Sequence, residues 1–246
     1  MGTPATPGRS ARLVPYSRRT TGALPMTSAN TPEPGFVTFG VLRTDSPEAA
    51  RRLVGLITGE VDRWVRHTDG FHSARTHVSL DGTTVVQWGR WADEKRYRDS
   101  FVRHPEGRVL HTLGERPEVR AASVFSGFPA AGVRGPAAGR APGLVGFAVR
   151  RLTGPESART VLGLLARSGR WKRTSPGFIS ASPYIGPDGT TFVNCPMWVD
   201  RDAYDSYMKH PDIAEGLEEV ARLEVAPPEF LLCTVAADIG PPARDR

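Results

Sequence analysis

Apolar and polar positions alternate from Gly35 to Leu42, from Ser73 to Leu80 and again from Ser180 to Ile185, the period-two pattern of strands with one buried face. Between the first two stretches the period changes. Ala50, Leu53, Val54, Ile57, Val61, Trp64 and Val65 recur at i, i+3, i+4 and i+7, the single apolar stripe of an amphipathic helix. Asp45-Ser46-Pro47-Glu48 opens that helix with a capping side chain, a proline in the first turn and an acid near the helix N-terminus. The second half of the chain runs through the same succession. Leu144 to Val149 reads as a strand, Pro155-Glu156 starts a helix, and Ala158, Val161, Leu162 and Leu165 form its stripe.

The halves also share residues. Gly70-Phe71 recurs as Gly177-Phe178, and Asp81-Gly82-Thr83-Thr84 recurs as Asp188-Gly189-Thr190-Thr191. Trp91, Asp93 and Tyr97 recur as Trp198, Asp200 and Tyr204, all at one constant offset of 107 residues. One residue is then dropped before His104-Pro105 and His210-Pro211, so the match survives an indel inside a helical segment. The chain is a tandem duplication. In each copy Asp-Gly supplies the positive φ of a tight hairpin turn. Asp93 or Asp200 is placed to cap a helix, and in the second copy Ala203, Tyr204, Tyr207 and Met208 repeat at helical spacing. Gly89 and Pro196 fall at the same point of the second hairpin strand and predict a bulge or bend just before the tryptophan.

Each copy closes with a further strand, around Val119 to Phe128 and Glu229 to Ala237. The order β-α-β-β-α-β, twice, is the split βαβ or ferredoxin-like arrangement of an α+β protein: a four-stranded antiparallel sheet with helices on one face. The other face needs cover, which a second copy in the same chain can supply. The expectation is therefore an intramolecular pseudo-dimer of two repeats, 35–128 and 143–240, with further homodimerisation left open. Residues 129–142, rich in Pro, Gly and Ala, have linker composition. Residues 1–34 read as a disordered basic arm and 241–246 as a tail.

Composition narrows the partners. The formal charge is +6 and the pI near 9.8, but four of the arm's residues are arginine against one glutamate, and beyond it basic residues are interleaved with acids. A solvated Arg-rich surface explains this without nucleic acid. No run approaches the ~20 apolar residues of a membrane span or the apolar core of a signal peptide, so the expectation is a cytoplasmic protein without a membrane partner. Two cysteines, Cys195 and Cys233, are too few for a disulfide scaffold and are expected buried and reduced. His72 and His77 are five apart on a strand, hence on opposite faces, and cannot share a metal. The chain has no glycine-rich nucleotide fingerprint and no serine elbow.

The pattern of Gly-Phe, Asp-Gly hairpin, strand ending in Trp, then W-x-D-x-x-x-Y leading to His-Pro resembles the antibiotic biosynthesis monooxygenase family over both repeats. The resemblance implies a cofactor-free oxygenase that uses dioxygen to convert an anthrone-like aromatic polyketide to a quinone, with no flavin, haem or metal. It further implies that the family's Asn, Trp and Tyr set is reproduced by Asn194, Trp198 and Tyr204 as catalytic residues, and in the first repeat by Gln87, Trp91 and Tyr97. The family's oxygenases also carry an Asn in the first strand, for which neither Gly35 to Leu42 nor Leu144 to Val149 has a counterpart.

The residues alone point the same way. Asn194 and Trp198 are four apart on a strand and so share a face. Trp and Tyr can form a flat slot for a polycyclic phenol, and an amide can donate to its oxyanion. Phe192, Met197, His210, Gln87, Trp91 and Tyr97 complete the expected substrate-binding set. A strand-end Trp and a helix-start Tyr are also common hydrophobic anchors, and that reading stays open, above all for Trp91 and Tyr97. The competing functions are a non-oxidative polyketide cyclase or a ligand-binding accessory protein of the same pathway. Haem degradation, a third, lacks an evident axial histidine.

Overall fold

The computed structural model describes residues 35–242; the arm expected at 1–34 and most of the tail, 243–246, lie outside them. The first repeat comprises β1 (Phe36–Thr44), α1 (Pro47–Arg63), β2 (Phe71–Ser79), β3 (Thr84–Trp91), α2 (Glu94–Tyr97), α3 (Arg108–His111) and β4 (Val119–Pro129). A short β5 (Val133–Arg134) follows. The second repeat comprises β6 (Leu144–Leu152), α4 (Pro155–Lys172), β7 (Phe178–Ile185), β8 (Thr191–Trp198), α5 (Arg201–Met208), α6 (Asp212–Ala221) and β9 (Glu224–Ile239). The α+β tandem duplication is thus the fold of the chain.

Local chemistry places these elements where the pattern does. Ser46 accepts from the Ala49 amide at 3.2 Å ahead of Pro47, and Ala49, Ala50, Leu53, Ile57 and Val61 form the buried stripe of α1. The hairpin turns at Gly82 and Gly189 have φ of 76° and 71°. A Cβ on Gly189 would also meet the Pro155 backbone at 2.6 Å, so glycine both makes the turn and lets it rest on the start of α4.

The sheet order is β4-β1-β3-β2-β9-β6-β8-β7-β5, and β4 also pairs with β7 through Phe128 with Ile185 and Pro129 with Tyr184. The two four-stranded sheets are therefore joined at both edges into a closed ring. Pairing of β2 with β9 makes the second joint. Val37, Phe39, Trp88, Phe125, Phe147, Tyr184, Val193 and Cys195 fill the interior between the sheets. The α-helices cover the outside, with separate cores between helix and sheet in each repeat. Within 129–142, β5 pairs with β7, and Val133 and Ala137 are buried.

Two irregularities carry information. The extra residue near each tryptophan lies on the neighbouring strand, between Phe71 and Ser73 and between Phe178 and Ser180, rather than at Gly89 or Pro196 as the sequence suggests. Glycine serves a different purpose there. A Cβ on Gly89 would meet Thr38 Oγ1 at 2.8 Å and Trp91 Nε1 at 3.1 Å, whereas in the second repeat Gly146 makes room for Pro196 and Trp198. Either arrangement lets an indole lie across the strand pair. The single-residue indel also has a physical form. Arg98–Val102 in the first repeat is a π-helical turn, which accommodates one extra residue within a helix; the corresponding part of α5 is regular α-helix.

Candidate functional site

On β8 the parity survives Pro196. Phe192, Asn194 and Trp198 face the helices, because Phe192 packs with Leu152, Ala158 and Val161 and Trp198 packs with Leu144, Phe178 and Tyr207. Met197, expected to bind substrate beside them, points the other way, into the core between the sheets with Val193 and Cys195. An odd spacing from Asn194 and Trp198 dictates this. Trp198 and Tyr204 do meet, with ring centroids 4.9 Å apart at 81°. Asn194 stands four residues along the strand from Trp198, about 13 Å at the usual rise, a span that only an extended ligand bridges.

The surroundings of Asn194 follow from register. Phe230, Ala148, Asn194 and Pro183 form one row across β9, β6, β8 and β7. The equivalent row in the first repeat is Val124, Gly40, Gln87 and Thr76. There Thr76 donates its hydroxyl to Gln87 Oε1 at 2.6 Å. In the second repeat the threonine is replaced by Pro183, which has no donor, and Asn194 Oδ1 is buried without a hydrogen-bond partner. Such an orphan costs stability unless something else satisfies it. Ala148 beside it is small, and Phe230 at the end of the row is 56% exposed, so the row has an apolar, solvent-reaching end.

The first-repeat counterparts are packed in place. Tyr97 lies 5.3 Å from Trp91 and 5.4 Å from Phe36, and burial pushes its hydroxyl up to about 12. Phe101, on the π turn, contacts Trp64, Trp91, Tyr97 and His111 within 5.6 Å. The indole Nε1 atoms of both Trp91 and Trp198 are unpartnered, so that property does not separate the copies; the amide does. His210 stacks on Trp171 at 3.9 Å, and its Nδ1 accepts from the Asp212 amide at 3.3 Å. His104 repeats this on Trp64 and Glu106. Both histidines thus have matching structural positions, and His210 sits with Trp171 rather than in the Asn194 row.

Three further residues of this layer lie outside the expected site set. Tyr207 is buried 5.2 Å from Trp198 and 4.9 Å from Trp171, and desolvation raises the pKa of its hydroxyl. Lys172 is 6% exposed, donates to Ser168 Oγ at 2.6 Å, and has its pKa lowered by burial to about 8. Arg150 is 7% exposed and ion-paired with Glu224. Alternation along β6 from Leu144 to Leu152 puts it on the helix face, a signal available to anyone who carries the strand past Val149. Among the described residues, no three His, Cys, Asp or Glu side chains gather to hold a metal. No helix there is long and apolar enough to cross a membrane.

No protein-family model matches the chain. Over 60 residues it is 37% identical to tetracenomycin-F1 monooxygenase of Streptomyces glaucescens; the match takes in 24% of this chain and spans half the length of that protein. The fold is similar to the crystal structure of an anthrone oxidase-like protein, with a TM-score of 0.72 at 17% identity over 85% of this chain and 94% of that one. It is also similar to a ferredoxin-fold protein from Listeria monocytogenes related to antibiotic biosynthesis monooxygenases, with a TM-score of 0.51 at 11% identity over 83% and 97% of the two chains. The fold is shared with these proteins, and the resemblance read from the motifs holds.

Proposed function

We propose that the second repeat is a cofactor-independent monooxygenase site for an anthrone-like aromatic polyketide, and that the first repeat serves as its structural partner. The observation that carries this reading is the Asn194 row: a buried amide without a partner, beside a small residue and an apolar end, in the copy whose twin has satisfied the same position. The similarity to proteins named as monooxygenase and anthrone oxidase-like supports the reaction class.

The substrate supplies the electrons. Loss of a proton from the methylene carbon of an anthrone gives a delocalised anion with charge on oxygen. Dioxygen adds to that carbon, forming a C–O bond, and the peroxide loses water as the new carbonyl forms; anthrone and dioxygen become quinone and water. Asn194 can turn its amide to donate to the substrate oxyanion, which lowers the cost of the anion. Trp198 and Tyr204 wall the ring system and fix its orientation toward oxygen.

The test is oxygen uptake by dialysed, chelator-treated protein supplied with an anthrone alone. One oxygen consumed per quinone formed, with a rate that rises with pH as the substrate ionises, is the expected result. Turnover that returns only when flavin, haem or a metal is restored would overturn the reading. Tight binding without oxygen consumption would favour the cyclase or accessory-protein alternative.

A further inference from the structure

The Arg150–Glu224 pair is costly where it stands. Its side chains are 8% and 5% exposed, and two charges taken out of water regain that loss only through close mutual contact and further hydrogen bonds. Among the described residues the guanidinium makes one hydrogen bond, from Nη1 to Glu224 Oε1, which leaves its other donors unused. The duplication shows what the fold needs at this point. Leu42 is the first-repeat equivalent of Arg150 and is 5% exposed in the core under α1. Glu224 lies opposite Leu152 in the sheet as Val119 lies opposite Thr44. A leucine and a valine thus do the packing in one copy, and the other carries a buried ion pair.

Position suggests what the charge is for. Arg150 pairs with Phe192 and Ala148 pairs with Asn194, so Arg150 is the diagonal neighbour of Asn194 on the same face, with backbones ~7–8 Å apart. Its Cζ lies 5.2 Å from the ring centroid of Phe230, the exposed aromatic at the end of the Asn194 row. Amide, aromatic and guanidinium therefore border one patch of the sheet, and the separation is about that between a reacting ring and a substituent on its neighbour. A planar fork with free donors matches a carboxylate better than any neutral group.

We infer that Arg150, held by Glu224, anchors a carboxylate carried by the polycyclic substrate, one ring away from the oxyanion met by Asn194. This rests on the proposed site in the second repeat, but it concerns binding and is separable from the reaction. Glu224 is the positioning residue: it holds the guanidinium toward the patch and balances its charge in the unliganded protein.

The experiment compares the affinity of a dihydroxyanthraquinone carboxylate and its uncharged methyl ester, by quenching of tryptophan fluorescence. It uses the full chain and two double variants, Arg150→Leu with Glu224→Val, which copies the first repeat, and Arg150→Gln with Glu224→Gln, which keeps size without charge. The parent should favour the carboxylate by at least ~10-fold. Both variants should fold and bring the ratio close to one while the ester affinity stays within about two-fold. A ratio retained in both variants, or a parent that shows no preference or binds neither compound, would overturn the assignment. Absence of oxygen uptake in a parent that still prefers the carboxylate would remove the reaction and leave the anchor standing.

Discussion

Replacing the two equivalent amides by alanine should separate stability from function in opposite directions. Gln87 Oε1 accepts the Thr76 hydroxyl at 2.6 Å, and Thr76 is 2% exposed. Gln87→Ala therefore leaves a buried hydroxyl without its acceptor, which costs about 1 kcal/mol and lowers the melting temperature by roughly 2–4 °C in a chain of this size. Turnover of an anthrone should stay within about two-fold. Asn194 Oδ1 has no partner to lose. Removing an unpaired buried carbonyl relieves a penalty of ~1–3 kcal/mol, partly offset by lost packing, so Asn194→Ala should be between unchanged and about 2 kcal/mol more stable. Its turnover should fall at least ~10-fold, about 1.4 kcal/mol of transition-state stabilisation, a threshold set below the roughly 2.7–4 kcal/mol typical of one oxyanion donor. Thermal melts and oxygen-electrode rates on the same preparations give both numbers. Destabilisation of the Asn194 variant together with a neutral Gln87 variant, or an equal loss of turnover in both, would refute the reasoning.

Three further outcomes follow from buried groups and the hairpin. His77, fully buried with Nδ1 donating to the Val86 carbonyl at 3.2 Å, is pushed down to about 4 chiefly by desolvation. The unfolded chain then binds the extra proton first, so stability is intact above pH 6.5 and falls by up to roughly 3 kcal/mol as pH drops toward 4; urea unfolding of His77→Leu should lose that slope. Lys172, at about 8 instead of 10.5, costs stability that is absent above pH 10.5 and complete below pH 8, so Lys172→Val, the residue at the equivalent Val65, should stabilise by up to roughly 3 kcal/mol at pH 7 and not at pH 11. Gly189→Ala forces a side chain onto φ 71° and against Pro155 and should cost at least about 1 kcal/mol in a thermal melt, with the matching Gly82→Ala, whose nearest contact is 3.3 Å, costing less.

The fold was legible because its signals are local. Periodicity, the Ser46 cap and the Asp-Gly turns each act over a few residues, and the duplication read them out twice. Parity across Pro196 is equally local: it puts Asn194 and Trp198 on one face and Met197 on the other. Ring closure was not legible, since pairing of β4 with β7 and of β2 with β9 joins strands far apart in sequence and leaves no mark in either. The asymmetry of the site is hidden in a similar way. Thr76 and Pro183 sit 11 residues from Gln87 and Asn194, and only the hairpin register turns those four residues into one satisfied pair and one orphan. Arg150 was obscured by its neighbours, because a strand buried on both faces reads as an uninterrupted apolar run and the Arg150-Arg151 pair looks like the end of it.

Fusion of the two copies lets the helix–sheet layer of one repeat carry polar groups where the other keeps apolar or aromatic side chains. In a dimer of identical subunits every polar residue kept for a ligand is buried twice, and the shared interior must absorb both penalties. Here the first repeat presents Leu42, Val65 and Phe101 to its helix–sheet layer, and the second presents Arg150, Lys172 and Tyr207 at the equivalent places. Each exchange trades packing for a donor or a charge, and all three run in the same direction. The π turn adds to this division, since its extra residue belongs to the copy whose layer Phe101 fills with rings. Closure of the sheet at both edges couples the two repeats, because side chains of both fill the one interior between the sheets.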